Sequence, residues 1–289
     1  MVSELRETLQ LALDWALPGS CLGCGVLLPR QDQLRANNET LQQLLGLVCP
    51  VCAARTRKIS TLCPCQKSAI HGWGNSPEAT QTQSHSCQLC SAFESFPKSV
   101  LFAFDFTYPF DQVIHRFKYS KAYYLGESLA QLLLLERKAA IKCMIAAEKL
   151  EAIIPMPLTP WRRFTRGYNQ STLLATELSK QLGLPIVEHG LQRKHFKTPQ
   201  AKIEETQERY ENVRNAFSAK PEHWMNAKRF LLVDDVITSG ATIAAATNAL
   251  HQAGAETVCA LTVCSASKEY GREYLFSERC AEELSLAEN

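Results

Sequence analysis

The sequence has no apolar run near the roughly 20 residues that cross a bilayer, so no membrane span is expected. Residues Met1–Leu17 read as a short amphipathic helix with acids inside it. They lack the basic start and small-residue cleavage site of a signal peptide, and a cytoplasmic protein is expected. Net charge is scarce too. The 31 Lys+Arg stand against 29 Asp+Glu, a balance of +2 that does not by itself argue for a nucleic-acid binder. Basic residues gather only from Trp161 to Arg214, ten against six acidic, which suits phosphates or a nucleic-acid backbone. No Gly-x-x-x-x-Gly-Lys-Ser/Thr occurs, so a Walker-type loop is excluded. With 46% apolar and 21% charged residues, a globular core is expected and wholesale disorder is not. A length of 289 residues allows one large domain or two modest ones.

What the chain has in plenty is cysteine, 12 residues that a reducing compartment would keep as thiols. Cys21-Leu-Gly-Cys24 and Cys49-Pro-Val-Cys52 are two Cys-x-x-Cys knuckles with 24 residues between them. Each knuckle sets two thiolates on one side of a tight turn, and the two together complete a tetrahedral zinc site. Disulfides or incidental core cysteines are the alternatives, and the paired spacing favours zinc. Cys63-Pro-Cys65 and Cys87-Gln-Leu-Cys90 form a second, less orthodox set, because Cys-x-Cys is tighter than the usual knuckle. They are candidates for a second zinc site, or else a degenerate remnant. The polar stretch Gln66–Ser86 between them reads as a loop. Ligation by four cysteines leaves no open position, so the zinc is expected to be structural. Residues 1–97 are taken as a cysteine-rich module and 98–289 as a second domain, with the tail from about 276 expected to fray.

The most informative stretch runs from Phe230 to Thr242. Four apolar residues, Phe230–Val233, suit a strand buried on both faces of a parallel sheet. Asp234 and Asp235 sit where that strand is expected to end, and Thr238-Ser239-Gly240-Ala241-Thr242 opens an Ala-rich helix that stops at Gly254. Ligands of open α/β sheets bind at the carboxyl ends of strands, and a helix N-terminus offers free N–H groups to an anion. The hydroxyls of Thr238, Ser239 and Thr242 add donors, while the two acids can accept from sugar hydroxyls. The parts describe a site for a sugar carrying a phosphate. The plain alternative is an acid pair in an ordinary strand-to-helix turn.

Upstream, Ser99–Phe106 reads as a strand and Phe110–Leu135 as helix interrupted near Tyr119-Ser120, whose His115, Arg116, Lys118 and Tyr119 either line a substrate opening or, the preferred reading, form a solvated face. Glu151–Leu158 is a further strand. It leads into a loop carrying Arg162, Arg163 and Arg166, whose guanidinium forks suit a diphosphate. An amphipathic helix follows to Gly183, and Leu184–Leu191 is another apolar run. The charged excursion beyond it, with Lys197 and Gln200, is where an α/β enzyme keeps a mobile lid. A last strand is expected over Thr257–Val263. The order defines a doubly wound parallel sheet with right-handed crossovers.

Phe230–Thr242 resembles the phosphoribosyl-pyrophosphate (PRPP) binding motif of type I phosphoribosyltransferases. That resemblance implies that Thr238–Thr242 take the 5-phosphate and that Asp234 and Asp235 hold the ribose at the catalytic centre. With the cysteine knuckles, Ile154-Pro-Met-Pro157, Arg166-Gly-Tyr-Asn-Gln170, Thr198-x-Gln200, Asn212-Val-Arg214 and Phe217, nearly the whole chain resembles the ComF family of bacterial competence proteins. The resemblance implies a type I phosphoribosyltransferase-like fold with an N-terminal zinc module, PRPP and Mg2+ as ligands, and a cytoplasmic role in DNA uptake during natural transformation. It further implies contact with a competence helicase or another DNA-processing protein. The acceptor is not legible. A second reading is a non-catalytic adaptor that binds PRPP or a nucleotide and grips single-stranded DNA, with Trp161, Phe164 and Tyr168 stacking on bases.

Overall fold

The computed structural model of the chain describes residues 19–28, 39–59, 93, 95–193, 216–224, 226–266 and 272–274. The expected N-terminal helix, the second cysteine set, the Gln66–Ser86 loop, the lid region around Lys197 and Gln200 and the tail from 276 lie outside those residues. In chain order the elements are α1 (Glu39–Leu45), α2 (Pro50–Ala54), β1 (Arg57–Ile59), β2 (Val100–Asp105), α3 (Phe110–Tyr119), α4 (Leu125–Glu148), β3 (Ala152–Pro155), α5 (Pro160–Arg166), α6 (Gln170–Leu182), β4 (Leu191–Arg193), β5 (Phe217–Ala219), β6 (Arg229–Ile237), α7 (Ala241–Gln252), β7 (Thr257–Ser265) and β8 (Arg272–Tyr274).

The long apolar strands form one sheet in the order β3-β6-β7-β2-β1-β8. The first four are parallel to one another, and β1 and β8 extend the sheet antiparallel. Apolar runs without alternation are explained by burial on both faces, since successive side chains point to opposite sides. On β6, Leu231 and Val233 enter a core with Phe117 of α3, Leu129 of α4 and Leu174 of α6. Phe230 and Leu232 enter the opposite core, with Ile243 of α7, Trp224 and Leu191. Parity along β2 and β7 divides the same way, with Leu101 and Leu261 on the first side and Phe102 and Ala260 on the second.

The mostly parallel sheet between helices meets the expectation. Four local departures have physical causes. The strand bearing the acid pair continues through Asp234 and Asp235 to Ile237, because β7 keeps pairing with it to Ile237↔Ser265. The arginine segment expected as a loop is the helix α5, started by Pro160 and capped by Thr159, whose side chain accepts from the Arg162 N–H. The apolar run Leu184–Leu191 pairs with the main sheet through a single parallel bridge from Ile186 to Ile153, and its end joins β5 in a separate two-stranded sheet. Finally, the cysteine module supplies β1, which pairs Lys58 with Phe104 of β2. Cys21, Cys49 and Cys52 lie in the same hydrophobic core as Leu101, Phe104 and Phe110.

Phe230 is fully buried and meets Trp224 edge-on at 4.9 Å between ring centroids. Phe230→Ala empties a site shared by the sheet and the Trp224 segment. We expect it to cost about 3–5 kcal/mol, read as a lowered midpoint in chemical denaturation.

Candidate functional site

The site is made by a difference in strand length. Pairing of β3 with β6 stops at Pro155↔Val233, and the Met156 N–H closes the edge by donating to the Val233 carbonyl at 2.8 Å. Beyond that point β6 is paired on the β7 side alone, and the N-terminus of α6 comes against the open side. Ser171 Oγ of α6 donates to Asp234 Oδ1 at 2.9 Å, and the Asp235 N–H donates to the same oxygen at 2.9 Å. Asp235 is buried and pairs with Lys118 Nζ of α3 at 2.9 Å. Burial, and next the neighbouring Asp235 carboxylate, push Asp234 from its ordinary value of 3.8 up to about 7, against the opposing pull of Lys118 and Ser171.

Directly after β6, Thr238 and Ser239 are exposed and Gly240 adopts φ +78°, a left-handed turn that residues with a Cβ resist. Gly240 is the N-cap of α7 and supplies no side-chain acceptor, so the first N–H groups of that helix are left for a ligand. Ala241 and Thr242 form its first turn. Acceptors for hydroxyls and donors for a phosphate are thus separated by one short turn.

Of the two readings of Lys118, a substrate opening and a solvated face, the structure favours the first, and the residue belongs to this site. What holds it there is Arg166-Gly-Tyr-Asn-Gln170. Gly167 ends α5 at φ +79°, and Asn169 caps α6 by accepting from the Ser171 N–H at 3.1 Å. The Asn169 amide also donates to the Met156 carbonyl at 3.0 Å. The Tyr168 hydroxyl donates to the Phe117 carbonyl, and Gln170 Nε2 donates to the Phe117 and Lys118 carbonyls at 3.4 Å. Arg166 lies 4.8 Å over the Tyr119 ring and donates to the Tyr119 hydroxyl and to Gln170 Oε1. The motif therefore clamps the last turn of α3 beside the acid pair. Tyr168 is buried, so it cannot stack on a base as the sequence reading supposed. Arg162 and Arg163 stand exposed on α5. Arg193, on β4, was not singled out from the sequence. Burial and then Arg162 lower its pKa, while Asp234 opposes them. An open groove of about 490 Å³, lined by Phe106, Asp111, Ile114, His115, Lys118 and Tyr119, continues from α3.

The four cysteines of the first two knuckles converge. Their Sγ atoms all lie within 4.8 Å of one another, and Cys24 and Cys49 are 3.7 Å apart. Two sulfurs on one tetrahedral zinc stand about 3.8 Å apart, given Zn–S bonds of about 2.3 Å. Burial would raise the Cys21 thiol, but N–H donation from Cys24 and Cys49 outweighs it and brings the pKa to about 7. Four soft donors with one already disposed to ionise suit a metal such as zinc. Burial pushes Cys52 up despite the Tyr108 hydroxyl at 2.7 Å. Among the described residues no helix is long and apolar enough to cross a membrane.

Sheet order, acid pair and helix-opening turn define a phosphoribosyltransferase-type fold, and residues 169–282 match the phosphoribosyl transferase domain. Competence protein F of Haemophilus influenzae is 36% identical over 152 residues, 52% of this chain and just under two thirds (65%) of that protein. The DNA utilization protein YhgH of Shigella flexneri is 30% identical over 219 residues, 75% of this chain and 89% of the relative. YhgH of Escherichia coli K12 is 29% identical over the same length. The chain belongs to the ComF family. Lys118 and the cysteine cluster both precede the matched transferase domain.

An acid whose pKa is raised on folding binds its proton more tightly in the folded state. Its contribution to stability is therefore lost as pH rises from about 4 toward 7. Asp234→Asn keeps an acceptor for Ser171 and the Asp235 N–H but carries no charge. We expect it to melt above the parent protein at pH 8, with the difference shrinking toward pH 4 in paired thermal scans.

Proposed function

We propose that the protein binds PRPP with Mg2+ over the carboxyl end of β6 and transfers its ribose 5-phosphate to an acceptor, releasing diphosphate. The observation that carries this reading is the acid pair standing one turn before the uncapped N-terminus of α7. The N–H groups of that helix and the hydroxyls of Thr238, Ser239 and Thr242 hold the 5-phosphate. Asp234 and Asp235 accept from the ribose hydroxyls, and their charge favours the cationic ribose ring as diphosphate departs. The pairing of Lys118 with Asp235 holds that carboxylate in place. Mg2+ bound with PRPP would supply charge neutralisation to the leaving diphosphate. Exposed Arg162 and Arg163 suit the diphosphate, with Arg166 stacked beside them on Tyr119, and the sequence adds Lys197 and Gln200.

The names of the relatives, competence protein and DNA utilization protein, support a role in handling DNA taken up by the cell, in the cytoplasm and beside a helicase or DNA-processing partner. One observation supports the adaptor reading. Trp161 and Phe164 are 65% and 82% exposed, 6.3 Å apart, and flank Arg162 and Arg163, an arrangement that suits base stacking with backbone contacts. Trp161→Ala/Phe164→Ala is expected to weaken single-stranded DNA binding at least 10-fold in fluorescence anisotropy while leaving PRPP binding unchanged. Equal DNA affinity would remove this reading.

The transferase reading is tested by calorimetric titration of PRPP with Mg2+ into the zinc-loaded protein, beside Asp234→Asn/Asp235→Asn. We expect saturable binding that the variant loses, followed by diphosphate release when acceptors, DNA ends among them, are added. No heat of binding to the folded protein would discard it.

A further inference from the structure

Gly23 lies at the tip of the first cysteine knuckle, where three chain segments meet. A Cβ added there would stand 3.0 Å from Cys52 Sγ and 3.2 Å from both Pro109 Cβ and the Tyr108 hydroxyl. The two knuckles and the turn between β2 and α3 are therefore in contact with no room for a methyl group. At their centre the Tyr108 hydroxyl is 2.7 Å from Cys52 Sγ, and Arg55, one turn beyond Cys52, lies 5.9 Å over the Tyr108 ring. A metal-bound sulfur is a thiolate, which can only accept, so in the loaded cluster the tyrosine O–H donates to it.

Tyr108 is also the entrance to α3. Pro109 precedes that helix, and Phe110 at its start is buried and stacked on Phe104 at 4.2 Å. Ten residues after Tyr108, in the last turn of the same helix, Lys118 pairs with Asp235. Nothing flexible intervenes: α3 is continuous, and its far end is clamped by Tyr168 and Gln170. The turn at the cysteine cluster and the lysine at the acid pair are thus the two ends of one continuous helix.

We propose that Tyr108 is a positioning residue that ties metal loading of the four-cysteine cluster to the shape of the acid-pair site. With metal bound, its hydroxyl donates to the Cys52 sulfur and fixes the β2–α3 turn. Without metal the knuckles separate, the turn is released, and α3 no longer seats Lys118 against Asp235. The consequence for PRPP rests on the function proposed above, whereas the tie between cluster and helix does not.

The test uses the full chain and Tyr108→Phe, which keeps the ring and removes the donor. Zinc affinity by chelator competition is expected to fall roughly 10–100-fold, the usual cost of losing a partner behind a metal ligand. In the cobalt-loaded protein the sulfur-to-metal charge-transfer band should shift, a signature that loss of packing alone does not produce. Hydrogen exchange across residues 106–119 should rise on chelation in the parent protein and be raised already in the loaded variant. Gly23→Ala, which keeps Tyr108 but wedges the contact open, should act in the same direction. PRPP with Mg2+ should tighten zinc in the parent and not in Tyr108→Phe, since linkage is reciprocal. Unchanged zinc affinity and exchange in Tyr108→Phe would overturn the proposal. If PRPP fails to bind while the zinc and exchange effects persist, the tie stands and the transferase reading falls instead.

Discussion

Two carboxylates on neighbouring residues of a largely buried strand impose the main constraint on this molecule. A buried charge left without a partner is far costlier than a lost contact, so the fold must bring a cation and hydrogen-bond donors to that place. Lys118 meets Asp235, and Ser171 with the Asp235 N–H meets Asp234. Each donor comes from a different stretch of chain: the end of α3, the start of α6 and β6 itself. Their arrival together requires that β3 stop short of the acids, that α6 enter the space so opened, and that α3 end opposite β6.

The same requirement explains the density of hydrogen bonds in Arg166-Gly-Tyr-Asn-Gln170. Five consecutive residues contact the ends of α3, β3, α5 and α6. Arginine in this motif is stacked and bonded rather than free, unlike Arg162 and Arg163. On the other side of α3 the cysteine cluster is joined to the sheet through β1 and through a shared core. It packs against the β2–α3 turn, where the Tyr108 hydroxyl meets the Cys52 sulfur.

Much of the site was legible because it is local. Strand, acid pair, small-residue turn and helix follow without interruption from Phe230 to Gln252, and the two knuckles carry their own spacing. The break after Tyr119 followed too, where the apolar spacing falters, but α4 runs on to Glu148, well past the end at Leu135 that the spacing suggests. Less legible was whatever depended on a partner far along the chain. Lys118 has the local sequence of an exposed helix face, and only Asp235, more than a hundred residues on, gives it a role. Tyr168 beside exposed arginines reads as an available aromatic, yet the carbonyl of Phe117 takes it inward. The arginine segment looked like a loop because a helix of seven residues has too few turns for a periodic signal.

The amino-acid order by itself determined the elements and their polarity: apolar runs that must be covered on both faces, an acid pair set before a small-residue turn that opens a helix, and thiol pairs spaced for a metal. These follow from period, capping and ligand spacing, which act over a few residues. The tertiary structure alone decided which side chains complete the site. Lys118 and Ser171 reach it only because strand length and parity open one edge of β6 and turn α3 and α6 toward it. Burial, charge pairing and close contact are properties of that assembled neighbourhood, and no local pattern carries them.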